Sequence, residues 1–172
     1  MKHLLLALIL LVSPALAQQG PQDIHPFFSP NGGCTQAVVA ALDAAKQSVL
    51  VQAYSFTSAP IAKALVDAKK RGVDVQVILD KSQRTERYTS ATFLANEGVP
   101  TYIDAKHKIA HNKIMIIDGR TVITGSFNFT KAAESGNAEN LLVISNAPEL
   151  AARYTANWKD HLGHAEPYQA RN

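Results

Sequence analysis

The sequence predicts an α/β fold: a mixed, mostly parallel β-sheet flanked by helices on both faces. Three observations carry that expectation. Two runs rich in β-branched residues, 48–56 (SVLVQAYSF) and 73–79 (VDVQVIL), bracket an amphipathic stretch. That is a β-α-β unit of about 30 residues, which implies a parallel pair joined by a right-handed crossover. Further on, apolar runs at 113–117 and 121–124 flank Asp118-Gly119, a strong hairpin signal. Leu150, Tyr154, Trp158 and Leu162 then recur every four residues behind Pro148, the spacing of one helical face.

Taken in order, the chain opens with Met1-Lys2-His3, a short basic start, followed by an unbroken apolar run over 4–12. Ala15-Leu16-Ala17 places small residues at −3 and −1 of a cleavage point before Gln18, so 1–17 has the layout of a secretory signal peptide. A membrane anchor is the competing reading, but the run falls well short of the roughly 20 residues that span a bilayer. The expectation is a periplasmic or secreted protein whose mature part, 18–172, is a single domain with no stable membrane association.

Residues 18–23 are polar, with Gly20 and Pro21, and read as a flexible leader. Asn31-Gly32-Gly33 reads as a turn. Over 34–46, Val38, Ala41, Leu42 and Ala45 recur at three and four, which predicts a helix. After the strand at 48–56, Ser58 is suited to cap the next helix, with Pro60 tolerated in its first turn. Ile61, Leu65 and Ala68 give that helix its apolar stripe, and Gly72 ends it. A helix over 88–96 stops at Gly98, a short strand follows at 101–103, and the apolar run at 140–145 is another strand.

Composition narrows the function classes. A chain of 172 residues that is 47% hydrophobic has room for one ordinary core and is too apolar to be disordered. Its single cysteine, Cys34, excludes a disulfide scaffold or a four-thiolate zinc site within one chain, and is expected to pack as a small apolar residue. A formal charge of +3 is mild, so binding of a polyanion must come from local clusters.

Those clusters surround one constellation. His111-Asn112-Lys113-Ile114-Met115-Ile116-Ile117-Asp118 has the form H-x-K-x4-D, and six residues later comes Gly125-Ser126-Phe127-Asn128, the form G-S-x-N. The first pattern alone would arise by chance in about one chain of this length in a hundred; the second, at fixed spacing, makes the pair far rarer. His111 and Lys113 are two apart at the start of a strand, so both side chains leave by one face. The hairpin returns the chain so that Ser126 and Asn128 lie beside them. An imidazole, an ammonium, a hydroxyl and a carboxamide converging on one spot suit a phosphoryl group: one nucleophile or base, with donors for the non-bridging oxygens. Asp118, at the turn, is expected to be structural.

On these motifs the chain resembles the phospholipase D superfamily, and most closely its short, single-motif branch of exported bacterial endonucleases, over essentially the whole mature chain. The resemblance extends to 52–57 (QAYSFT) and 138–140 (AEN). It implies metal-independent hydrolysis of phosphodiesters, with no cofactor, through a phosphohistidine at His111. It further implies that Lys113, Ser126 and Asn128 hold the phosphate and that Glu139 hydrogen-bonds the nucleophilic imidazole. A carboxylate there would fix the tautomer and stabilise positive charge on the ring. One copy of the signature implies a C2 homodimer with a composite site holding two copies of His111.

Lys81, Arg84 and Arg87 follow the strand at 73–79, and Lys106, His107 and Lys108 precede the motif strand; both clusters are candidate contacts to a nucleic-acid backbone, against the plainer reading of solvated loops. His107 and His111 are four apart, a metal-pair spacing on a helix, but no helix is expected there and no Cys or Glu completes a ligand set, so no metal site is expected. Tyr54 and Phe56 are read as core residues first and base-stacking residues second; Tyr154 and Trp158 are read as core. Glu134 falls in a polar loop and receives no role. The expected activity is an endonuclease on DNA or RNA with little sequence preference. The alternatives are a phospholipase or cardiolipin-type lipid hydrolase using the same residues, and a catalytically idle nucleic-acid-binding protein.

Overall fold

The computed structural model describes residues 21–170; the segment read as a signal peptide lies outside them. Strand β1 spans Asp23–Ser29, α1 Cys34–Ala44, β2 Ser48–Ala53, α2 Ala59–Lys70 and β3 Asp74–Asp80. A 3-10 turn at Lys81–Arg84 leads to α3 (Ala91–Asn96) and β4 (Thr101–Asp104). The motif region forms β5 (Lys113–Ile117), β6 (Thr121–Gly125), α4 (Lys131–Ser135) and β7 (Glu139–Ser145), and the chain closes with α5 (Pro148–Leu162) and β8 (Glu166–Pro167).

Among the described residues, eight strands join in one sheet ordered β1-β7-β6-β5-β2-β3-β4-β8. The mixed α/β architecture is as expected, but "mostly parallel" is not. Only β2–β3 and β3–β4 are parallel, while β1–β7, β7–β6, β6–β5, β5–β2 and β4–β8 are antiparallel. The reason is connection length. Helical crossovers of a dozen residues or more separate β2, β3 and β4, whereas a three-residue turn joins β5 to β6 and permits only antiparallel return. Strand β1, placed against β7 at the edge, and the two-residue β8 have no counterpart in the sequence expectations.

Helices cover both faces. On one, Val38 and Leu42 of α1, Ile61 and Leu65 of α2 and Leu94 of α3 pack on Val49, Val51, Val77 and Leu79 of the parallel half, and Cys34 is buried among them. On the other, α5 alone sets Ala151 and Trp158 against Ile78, Ile114, Ile116 and Val122. The Trp158 indole N–H donates to the Val51 carbonyl at 2.9 Å, so its polar edge is satisfied as well as its ring buried. No helix of the described residues is long and apolar enough to cross a membrane.

Two polar devices lock the chain between elements. Asp118, in left-handed conformation (φ 53°), accepts from the backbone amides of Lys46 (2.9 Å), Gln47 (2.7 Å) and Ser48 (3.0 Å), and so pins the entrance of β2 to the β5–β6 turn. Glu134, on the short α4, accepts from the amides of Gly33 (3.2 Å) and Thr35 (2.6 Å). It therefore caps α1, whose own N-cap is a glycine with no side chain to do so.

Candidate active site

The topology brings His111, Lys113, Ser126, Asn128 and Glu139 to one end of the sheet and leaves Asp118 at the other. Strands β5 and β7 begin there, and β1, β2, β3, β4 and β6 end there, because β5 runs antiparallel to both β2 and β6. His111 lies two residues before β5, Ser126 directly follows β6 and Glu139 opens β7.

His111 is held by its neighbours rather than by the strand ladder. Its ring packs on the Tyr54 ring with centroids 4.6 Å apart, and the Tyr54 amide donates to the Asn112 carbonyl at 2.9 Å. The Asn112 carboxamide in turn donates to buried Gln52 Oε1 at 2.9 Å. Lys113 is buried, with Nζ donating to the His111 carbonyl at 2.7 Å and standing 5.3 Å from the Tyr54 ring centre. Burial pushes its pKa down, and the Glu139 carboxylate opposes that shift. Tyr54 is thus a neighbour of both motif side chains, while Phe56, buried edge-on against Phe129, belongs to the core.

Gly125 separates the two halves of the motif. A Cβ there would lie 2.2 Å from the Asn140 carbonyl oxygen, and the glycine adopts φ 153°. That carbonyl instead accepts from the amides of Ser126 (3.1 Å) and Phe127 (3.2 Å), which turns the chain out of β6 and presents G-S-x-N at the sheet's end. Ser126 Oγ donates to Glu139 Oε2 at 2.6 Å and accepts from the Asn140 amide at 3.0 Å. Asn137 Nδ2 donates to the other Glu139 oxygen at 3.0 Å. Asn128 Oδ1 is buried without a hydrogen-bond partner among the described residues.

Glu139 therefore meets Ser126 and Asn137 rather than the imidazole. Strand β6 stands between β5 and β7, so about two strand spacings, ~10 Å, separate the ends from which His111 and Glu139 project. A shallow cleft of about 230 Å³ lies over His111, Lys113, Gly125, Tyr154 and Asn157. Tyr154 of α5, read as core, thus also borders it.

The expected basic clusters reach the same end of the sheet, from β3 and β4. Lys81 Nζ donates to the His107 carbonyl at 3.0 Å, while Arg84 is paired with Glu166 at 2.7 Å. Lys106 and Lys108 are exposed on the 105–112 loop. That loop is held from below by Asp80, which accepts from the Ala110 amide at 2.7 Å, and by Asp104, which accepts from the Lys106 amide at 3.1 Å.

One cluster has no counterpart in the sequence expectations. His107 joins not His111 but Asp104, His161 and His164, whose ligand atoms all lie within 4.8 Å of one another. Burial would raise the Asp104 carboxyl, but its contacts with His161, His107 and His164 and with the Lys106 amide outweigh that and hold it at about 2. The available signal was two i, i+3 pairs, Asp104/His107 and His161/His164, more than fifty residues apart.

Comparison with known proteins places these features. The family described as "Cardiolipin synthase, PLD-like domain" matches residues 38–162. A "Phospholipase D" of Rickettsia bellii is 41% identical over 143 residues, 83% of this chain and 71% of that protein. The crystal structure of Nuc from Salmonella typhimurium, a phospholipase D family member, superposes with a TM-score of 0.84 at 43% identity over 87% of this chain and 99% of Nuc. NucT from Helicobacter pylori superposes with a TM-score of 0.79 over 86% of this chain and all of NucT; at 24% identity that likeness speaks for the fold.

Proposed function

Because the chain belongs to the phospholipase D superfamily of phosphodiesterases, we propose that it is an exported nuclease, cutting DNA or RNA with little sequence preference. The observation that carries this reading is the common edge shared by the motif residues and the basic loops. Lys81, Lys106 and Lys108 lie at the same end of the sheet as His111 and Lys113, beside an open cleft of about 230 Å³. Such a surface suits a long polyanion whose backbone passes over it, and backbone contacts carry no sequence information directly.

In the proposed reaction an imidazole nitrogen of His111 attacks phosphorus. A P–N bond forms as the P–O bond to the leaving oxygen breaks, and Lys113, Ser126 and Asn128 take the charge on the non-bridging oxygens. The leaving oxygen takes its proton from His111 of the partner subunit in a twofold dimer. That second imidazole then accepts a proton from water, which attacks phosphorus and breaks the P–N bond. Dimerisation is supported by what a single chain leaves incomplete: one imidazole, an Asn128 Oδ1 without a partner among the described residues, and a Glu139 bonded to Ser126 and Asn137 rather than to its own His111. Phe28, 63% exposed and opposite Asn140 in the β1–β7 register, supplies an apolar surface near Ser126.

The test is parallel digestion of plasmid, RNA and cardiolipin-containing vesicles by the mature protein and by His111→Ala, with a chelator present. Cleavage of nucleic acid by the wild type, its loss in a still-dimeric His111→Ala, and trapping of labelled phosphate on His111 are expected. Release of lipid headgroup with nucleic acid left intact would favour the lipid-hydrolase reading, to which the names of the Rickettsia relative and of the family point. Full turnover by a demonstrated monomer would overturn the composite site.

A further inference from the structure

We infer that Asp104, His107, His161 and His164 form a structural zinc site that fastens the loop leading into His111 to the end of α5. The residues come from three places: the last position of β4, the loop after it, and the final turn of α5 with the residue just beyond Gly163. Three imidazole nitrogens surround a single carboxylate oxygen. Asp104 Oδ2 has His161 Nδ1 at 2.7 Å, His107 Nδ1 at 3.1 Å and His164 Nε2 at 3.3 Å.

A hydrogen-bond network explains this arrangement poorly. His164 Nε2 is buried and makes no aligned hydrogen bond despite its distance to Asp104. The three rings face one another with centroids 4.9, 5.2 and 5.4 Å apart, so protonating all of them would set three positive charges around one carboxylate. Neutral imidazoles with their lone pairs turned inward suit a shared cation instead. Zinc bonds of about 2.0–2.2 Å in a tetrahedron place donor atoms about 3.3–3.6 Å apart, close to the contacts already present.

The ligand chemistry selects the metal. Three imidazoles and one carboxylate suit zinc, whereas calcium and magnesium take oxygen donors. Four protein ligands close the tetrahedron and leave no position for water or substrate, which marks a structural centre rather than a catalytic one. Asp104 is fully buried and its Oδ1 already accepts from the Lys106 amide, which holds the carboxylate in the orientation a ligand needs. The inference is independent of the nuclease reading: the metal would hold the 105–112 loop on α5 and take no part in attack on phosphorus.

The test uses the untagged mature protein, freed of metal and titrated with Co²⁺ and then Zn²⁺. One equivalent of Co²⁺ with the intense visible bands of a tetrahedral site, displaced by one equivalent of Zn²⁺, is expected. Zinc at a hundredfold excess over its Kd should raise Tm by about 5–10 °C. His161→Gln should lose both responses. His107→Ala, which removes a partly exposed side chain and spares the fold, should lose them too while its far-UV circular dichroism stays that of the wild type. A wild-type protein that takes up no stoichiometric metal, or binding that survives His107→Ala unchanged, overturns the assignment, and neither result bears on phosphodiester cleavage.

Discussion

Replacing Asp118 by alanine separates the two meanings that a residue of the H-x-K-x4-D pattern can carry. The carboxylate accepts from three consecutive amides, of which those of Lys46 and Gln47 are exposed and that of Ser48 is partly buried. A buried bond to a charged acceptor contributes about 1.5–3 kcal/mol, and solvent-exposed ones well under 1. The set therefore amounts to about 2–3 kcal/mol. Alanine must also adopt φ 53°, at a further cost of about 1 kcal/mol. The expected loss is about 3–4 kcal/mol, or about 10 °C in Tm for a chain of this length. Asp118→Asn keeps one acceptor and tolerates the left-handed backbone, so it should lose less.

Acid sharpens the same test. Burial would raise the Asp118 carboxyl, but the amides of Ser48, Gln47 and Lys46, with the Lys46 ammonium, hold it below the ordinary carboxylate range. A folded pKa below the unfolded value of about 3.9 means a contribution present in full above that value and lost as pH falls through the folded one. Urea unfolding at pH 7 and pH 3 should show the gap between wild type and Asp118→Asn closing in acid. Asp118 stands at the opposite end of β5 from Lys113, so kcat per folded molecule should not change. Wild-type stability in Asp118→Ala, or a kcat loss in fully folded protein, would refute this reasoning.

Other substitutions probe the remaining parts. Gly125→Ala drives a Cβ into the Asn140 carbonyl, so stability should fall by about 3 kcal/mol or more, and turnover with it as Ser126 and Asn128 shift. Wild-type thermal melting would remove that argument. Glu134→Ala should cost about 1–2 kcal/mol through the lost cap of α1 with kcat unchanged, read by denaturant titration beside an activity assay. Lys106→Glu with Lys108→Glu, in a His111→Ala background, should weaken DNA binding and flatten its log–log salt slope by about 2, measured by fluorescence anisotropy. Arg84→Glu should do less, since the Arg84 guanidinium already faces Glu166.

The long periodic elements and the motif could be read from the residues, because amphipathic spacing and a hairpin turn are local signals. What escaped depends on distant partners. Strand β1 contains Pro26 and lacks clean alternation, and only pairing with β7 makes it a strand. Glu134 looks like a loop acid until the fold sets it against a glycine-capped helix nearly a hundred residues away. One β-α-β unit predicts parallel pairing only for its own strands, and the short turn between β5 and β6 requires antiparallel pairing there. Spacing alone pairs His107 with His111, whereas the fold sets it beside Asp104 of β4, His161 of α5 and His164 just beyond that helix.

The unequal division of the core between the two faces has a consequence for observation. Several helices share one side of the sheet, whereas α5 serves the other alone and carries the only tryptophan of the chain. Indole fluorescence is thus a private reporter of that lone helix. Should α5 peel away before the rest melts, emission from Trp158 would shift to the red while backbone ellipticity stayed nearly native, and the protein would signal its own partial opening without an added dye.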